Sequence, residues 1–158
     1  MVSFLQRCNF SYSKGAYPIP KDFYEACIAK AKQLNLSMEG SESIEPYMDV
    51  GVAMSYLSYK HIDDFNLKVH IALFTAAVTY VDDNFGRHVD SLSQFVDMFS
   101  KGEVQADKPT MTVDKMLRLT SQFYDGIARS MLTTSTFNFI TALVLQHKFE
   151  TFPVCSII

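Results

Sequence analysis

Val69-His70-Ile71-Ala72-Leu73-Phe74-Thr75-Ala76-Ala77-Val78-Thr79-Tyr80-Val81 is apolar nearly all round, and it runs directly into Asp82-Asp83. A surface helix keeps one polar face, whereas a helix apolar on every side is one that its neighbours enclose. The run is too long and too rich in alanine for a strand, and Asp63 or Asp64 stands where a helix cap belongs. The stretch therefore predicts a central helix over about Phe65 to Asn84, stopped by Gly86. Its 13 residues, interrupted by His70, fall short of the roughly 18 apolar residues that a membrane span requires.

Outward from this helix the same three-and-four periodicity recurs. Phe23, Cys27, Ala31 and Leu34 predict a helix over Lys21 to Leu36, started by Pro20. Ser43 is placed to cap a second helix through Tyr47, Val50, Met54 and Leu57 to about Lys60, which Gly51 weakens modestly. Ser91 to Ser100, closed by Gly102, predicts a fourth helix. Val104 to Thr112, with Pro109, reads as a polar loop. Thr112 then caps a fifth helix with Met116, Leu119, Phe123, Ile127 and Met131 along one stripe. Ser135 to Phe149 predicts a sixth, and Pro153 ends regular structure. Six helices and no convincing strand pair make the chain all-α.

Composition narrows the function classes. With 158 residues, 48% hydrophobic and 20% charged, the chain is long enough and apolar enough to bury one core without a staple. The balance of 14 Lys+Arg against 17 Asp+Glu argues against nucleic-acid binding through bulk charge. The three cysteines, Cys8, Cys27 and Cys155, form no C-x-x-C pair, so neither a zinc site nor a disulfide framework is expected. An odd count with no secretory signal fits a reducing, cytoplasmic setting and no membrane partner.

Asp82 and Asp83 are the residues that carry chemistry. Two adjacent acids at the end of an enclosed helix can hold a hard cation. Magnesium takes one or two carboxylates, several waters and substrate phosphates, and a helix C-terminus favours positive charge. The alternative is a solvated helix end, where Asp is common. His61 near Asp63 and His88 near Asp90 pair by proximity alone, with no nucleophile elbow beside them. The six glycines are isolated and make no phosphate loop. Lys14, Lys21, Lys30 and Lys32 read as a solvated helix face. No residue is singled out as catalytic.

Ala76-Ala77-Val78-Thr79-Tyr80-Val81-Asp82-Asp83-Asn84-Phe85 resembles the aspartate-rich helix end of class I terpene synthases, and the order of features resembles the fungal trichodiene synthase-like family. Phe4-Leu5-Gln6-Arg7-Cys8-Asn9, Ser135-Thr136-Phe137-Asn138-Phe139 and Phe149-Glu150-Thr151-Phe152-Pro153 carry the rest of it. The resemblance runs over nearly the whole chain but covers only the front part of such an enzyme. It implies a helical bundle of the class I terpenoid synthase type with an apolar cavity. It also implies lyase chemistry: Mg2+, with Mn2+ as a substitute, grips the diphosphate of a prenyl substrate such as farnesyl diphosphate. The ionised chain then cyclises away from water. Asp82 matches the metal-binding aspartate and Asp83 its supporting neighbour. Thr75, Val78 and Thr79, on the helix face of Asp82, would look into the cavity.

The sequence departs from the family pattern at several points. Gly86 and Arg87 stand where a further acid is usual, and Thr134 stands where an arginine precedes Ser-Thr. No Asn-Asp pair, the start of the second metal motif, occurs anywhere. Residues 1–153 therefore read as a partial synthase domain, and Val154-Cys155-Ser156-Ile157-Ile158 as a divergent tail. Val-Cys can be encoded by GTATGT, a fungal intron start, and Cys155-Ser156-Ile157-Ile158 has the form of a prenylation box with an unusual last residue. The resulting expectation is a truncated, inactive synthase. The alternatives are a non-catalytic helical relic and an interaction module. Exposed apolar faces of the third and sixth helices would promote self-association.

Overall fold

The structure is a computed structural model, and it describes residues 19–151. The expectations placed on residues 4–9, Lys14, Cys8 and the tail from residue 152 lie outside the described residues. Six α-helices are present, and no strand occurs among the described residues. They are α1 (Lys21–Gln33), α2 (Met48–Ser58), α3 (Phe65–Asn84), α4 (Val89–Lys101), α5 (Lys108–Leu119) and α6 (Gly126–Thr151). Short 3-10 turns over Glu45–Tyr47, Phe85–Arg87 and Thr120–Gln122 lead into α2, out of α3 and out of α5. No helix of the described residues is long and apolar enough to cross a membrane.

The apolar run forms the centre, as its composition requires. Helix α3 packs against α1, α2 and α5, while α4 lies along α6. It buries Val69, Ala72, Leu73, Ala76, Ala77, Tyr80 and Val81. The Asp64 carboxylate accepts from the Leu67 N–H at 3.0 Å and so satisfies one of the donors left free at a helix start. Helix α1 contributes Phe23, Cys27 and Ala31, one turn apart, to the same core. It ends at Gln33 rather than Leu36, because Asn35 adopts a left-handed backbone (φ 50°) and turns Leu36 inward as a buried residue.

Gly51 has a larger role than a weak helix former. A Cβ at this position would lie 2.2 Å from the Ala72 carbonyl oxygen and 3.1 Å from the Ala76 Cβ. Helices α2 and α3 thus meet backbone to backbone, which Gly51, Ala72 and Ala76 permit by being small. The Ser55 hydroxyl donates to the Lys68 carbonyl at 2.6 Å and fixes the same pair along its length. Ser43 does not cap α2, whose start at Met48 has no side-chain cap; its hydroxyl accepts from the Glu45 N–H at 3.1 Å in the segment before the 3-10 turn, and α2 itself stops short of Lys60.

Two sequence expectations are corrected by helix starts. Thr112 does not cap α5. Asp107 does: its Oδ1 accepts from the Thr110 N–H at 2.9 Å in a capping box, and Pro109 sits within the first turn. A proline in the first turn costs no hydrogen bond, so it marks a start here and not a loop. The stripe assigned to one fifth helix is also divided. Helix α5 ends at Leu119, and Asp125 starts α6 by accepting from the Ala128 N–H at 2.8 Å. Ile127 and Met131 consequently lie on α6, where they are 76% and 67% exposed, not in the core.

Candidate functional site

The last turns of α3 define the candidate site. Tyr80 and Val81 are buried, and the chain then emerges with Asp82 and Asp83 exposed. Asn84 closes the helix, its Nδ2 donating to the Tyr80 carbonyl at 3.0 Å and to the Tyr47 hydroxyl at 2.8 Å. The Tyr47 ring packs edge-on against Tyr80, centroids 5.4 Å apart. The acidic helix end is thereby tied to the segment leading into α2.

Beneath it lies a polar network that links three helices. The His88 Nδ1 is 2.9 Å from the Asp107 Oδ2, and the His88 Nε2 is 3.2 Å from the Tyr80 hydroxyl. When Nδ1–H donates to the carboxylate, the ring offers Nε2 as an acceptor for the Tyr80 hydroxyl. Ser91 donates to the same Asp107 oxygen at 2.5 Å, and Thr110 donates to the other through its N–H and hydroxyl. Partial burial disfavours the Asp107 carboxylate, but the bonds from Ser91, Thr110 and His88 outweigh it and hold the group below the ordinary carboxylate range. Sequence proximity had paired His88 with Asp90; the actual partner is Asp107. His61 is exposed beside the Tyr59 ring.

No hydrogen bond or ion pair engages Asp82 or Asp83 among the described residues, and no cluster there brings three or more His, Cys, Asp or Glu together to hold a metal. Gly86 and Arg87, in the 3-10 turn, are exposed beside the pair and add no carboxylate. The donor set is nonetheless of the right kind for magnesium: hard oxygens, unpaired, at the negative end of a helix. It fits an ion held by one or two carboxylates with water and phosphate completing the shell, and it does not fit an all-protein cage.

Thr75, Val78 and Thr79 are half-buried on α3. The Thr79 hydroxyl donates to the Thr75 carbonyl at 2.8 Å, so its proton is engaged within the helix. Two cavities lie elsewhere and are lined by none of these three residues. One, of about 1050 Å³, opens between the α1–α2 connection and α5. The other, of about 400 Å³, lies beside His70 at the opposite end of α3. His70 is buried, its Nε2 has no partner, and burial pushes its pKa down to about 4. Thr134 is exposed on α6, and the adjoining Thr136 is buried with its hydroxyl on the Leu132 carbonyl at 2.9 Å.

An all-α bundle whose central helix ends in two free carboxylates is the class of protein that fold and site define. No family model matches the chain. Among curated proteins it is similar to alpha-cuprenene synthase COP6 of Coprinopsis cinerea, 26% identical over 92% of this chain and 45% of that protein. Terpene synthase BipA of Cochliobolus sativus is 26% identical over 70% of this chain and 33% of its own length. Monoterpene synthase 25 of Postia placenta is 22% identical over 68% and 32%. The similar proteins are fungal terpene synthases, which supports the terpene synthase family, and the chain spans less than half the length of each.

Proposed function

We propose that this chain carries the aspartate-rich, diphosphate-facing part of a class I terpene synthase of trichodiene synthase-like type. Asp82 is the metal-binding carboxylate and Asp83 its supporting neighbour. The observation that carries the reading is the pair of exposed, unpartnered carboxylates on the last turn of the central helix. The similarity to fungal terpene synthases supports it. The substrate class is a prenyl diphosphate such as farnesyl diphosphate. Bound Mg2+, or Mn2+ in its place, supplies Lewis acidity toward the departing diphosphate.

The chain's own residues do the positioning. Asn84 and Tyr47 hold the final turn of α3, so the two carboxylates project from a fixed base. Thr75, Val78 and Thr79, on the face that leads to Asp82, would line the path of the hydrocarbon. Their mixed methyl and hydroxyl surface suits an apolar chain, because Thr79 has already spent its proton on Thr75.

Titrating Mg2+ together with inorganic pyrophosphate into the 158-residue protein tests this. Calorimetry should give metal-dependent pyrophosphate binding that Asp82→Ala abolishes and Asp83→Ala weakens less. Equal binding by Asp82→Ala and the unaltered chain would overturn the assignment.

A second reading, an interaction module without catalysis, is favoured by one feature. Helix α6 exposes Ile127, Met131, Leu145 and Phe149, an apolar surface suited to contact with another helix or another copy. Helix α3 is covered more fully than the sequence suggests, with Ile71, Phe74 and Val78 half-buried. Helix α2 exposes Val50, Met54 and Leu57 as well, so self-association would run through α6 or α2.

A further inference from the structure

Helix α6 turns one side to the core and the other to solvent. Thr136, Ile140, Leu143 and Val144 are buried, and the helix packs on α4. Its outward side carries Ile127, Met131, Leu145 and Phe149, all exposed. A solvated helix face ordinarily holds charge, as α1 does with Lys21, Asp22, Glu25 and Lys30. From Ser130 to His147, α6 has no Lys, Arg, Asp or Glu at all. The feature is a long uncharged face rather than a few scattered apolar side chains.

The outward residues are arranged symmetrically about the exposed Asn138. Thr134 and Ala142 stand four residues to either side of it, Met131 and Leu145 seven, and Ile127 and Phe149 eleven. Steps of three and four keep them on one stripe. The eleven-residue repeat, about 3.67 residues per turn, lets that stripe run nearly straight. Turned end for end, such a stripe opposes itself. Two copies set antiparallel on a twofold axis through Asn138 bring Ile127 over the partner's Phe149 and Met131 over the partner's Leu145, apolar on apolar. On the axis the two Asn138 amides meet, each able to donate to the other and accept from it. The Asn138 side chain makes no hydrogen bond within the described residues. Electrostatics agrees with this register. It lays the positive start of one α6 beside the negative end of the other, and no stripe residue is charged, so no like charges are opposed within it.

We propose that this chain forms a symmetric dimer with a second copy of itself through the outward face of α6, the two helices antiparallel about Asn138. The dimer rests on the reading of the chain as an interaction module and gives that reading a partner and a register. It shares no residue with Asp82 or Asp83. The α2 stripe of Val50, Met54 and Leu57 is a poorer seam, since that helix has 11 residues against 26 in α6 and carries exposed Asp49 beside Val50. A closed twofold pairing uses its surface up and stops at two copies. The stripe is about 33 Å long and about 10 Å wide. Each copy therefore buries about 330 Å², less than half of the roughly 800 Å² per partner in a standard stable complex. The dimer is a reversible one, with a dissociation constant on the order of 100 μM.

Sedimentation velocity on the full 158-residue chain, from about 10 μM to about 1 mM, should show a monomer–dimer equilibrium and no larger species. Met131→Lys and Leu145→Glu each place an unpaired charge in an apolar contact and should weaken the dimer by at least about tenfold. Combined in one chain, they should restore it to within about threefold. The antiparallel register sets each new cation against a new anion of the partner, twice per dimer. Within one helix the two positions lie about 21 Å apart and cannot pair. Both are exposed, so far-ultraviolet circular dichroism should be unchanged and separates lost association from lost folding. A chain monomeric up to about 1 mM overturns the dimer and, with it, self-association through any face. A dimer that either single variant leaves intact overturns this interface while the interaction reading stands. Weakening by both single variants without rescue in the double overturns the register, and larger species overturn the closed twofold.

Discussion

Asp107→Ala removes the carboxylate on which the polar network of α3, α4 and α5 converges. The carboxylate caps α5 through the Thr110 N–H and accepts from His88 and Ser91 on its second oxygen. Loss of an N-cap costs about 1 kcal/mol. Each bond to a charged acceptor adds about 1.5 kcal/mol at the low end, which is the appropriate end because the side chain keeps 19% of its exposure. The total is roughly 4 kcal/mol, a substantial part of the roughly 5–15 kcal/mol that stabilises a domain. For a chain of this size the melting temperature should fall by about 10 °C. Urea and thermal unfolding followed by circular dichroism measure both quantities. Asp107→Asn, which keeps a capping oxygen but no charge, should lose less.

The pH dependence follows from the depressed Asp107 pKa. A carboxyl held below its usual 3.8 in the folded state contributes its full stability above that value and loses it as pH falls through the lower, folded value. The gap between the unaltered chain and Asp107→Asn should therefore be constant from about pH 7 to 5 and shrink below about pH 4. A loss under 1 kcal/mol in Asp107→Ala, or a gap unchanged down to the acid limb, would refute the reasoning.

Gly51→Ala should destabilise by about 1–3 kcal/mol, since its methyl group meets a carbonyl that cannot rotate away; a denaturation midpoint equal to that of the unaltered chain would count against the close α2–α3 contact. Cys27, fully buried and with its thiol pushed up to about 12 by that burial, should stay unmodified in native-state alkylation read by mass spectrometry and react once the chain is unfolded. The isolated 158-residue chain should give no cyclic product from farnesyl diphosphate and Mg2+ by gas chromatography. It holds no Asn-Asp pair and carries Thr134 where the resemblance to class I terpene synthases implies an arginine, and each missing preorganised charge costs about 10²–10³ in rate.

Much of the helical order was legible because it rests on local rules. The bounds of α3, its Asp64 cap and the glycine stop of α4 each depend on residues within one turn. The α5 start was misread because Pro109 reads equally as a loop breaker or a first-turn residue, and only the capping box at Asp107 decides between them. Ile127 and Met131 kept a helical period with Met116, yet the turn at Thr120–Gln122 rotates them away from the core. Asp82 and Asp83 were visible as a pair at a helix end. The His88–Asp107–Tyr80 network was not, since it joins residues 19 and 8 positions apart through tertiary packing that no local pattern encodes. Gly51 looked like a minor flaw because sequence shows what a glycine lacks, not what stands opposite it.

That opposite partner sets how α3 can move. Ordinary helix seams slide a little because side chains swing to new rotamers as they pass. At Gly51 nothing can swing: bare backbone rests against the Ala72 carbonyl. A shift of one residue, about 1.5 Å along the axis, would bring Val50 or Val52 to a place with no room for either. The seam acts as a mechanical stop, permitting one axial setting and blocking its neighbours. Whatever Asp82 and Asp83 grip at the end of the helix, they grip it from a rod whose depth is set by a missing methyl group about two to three turns of thread away.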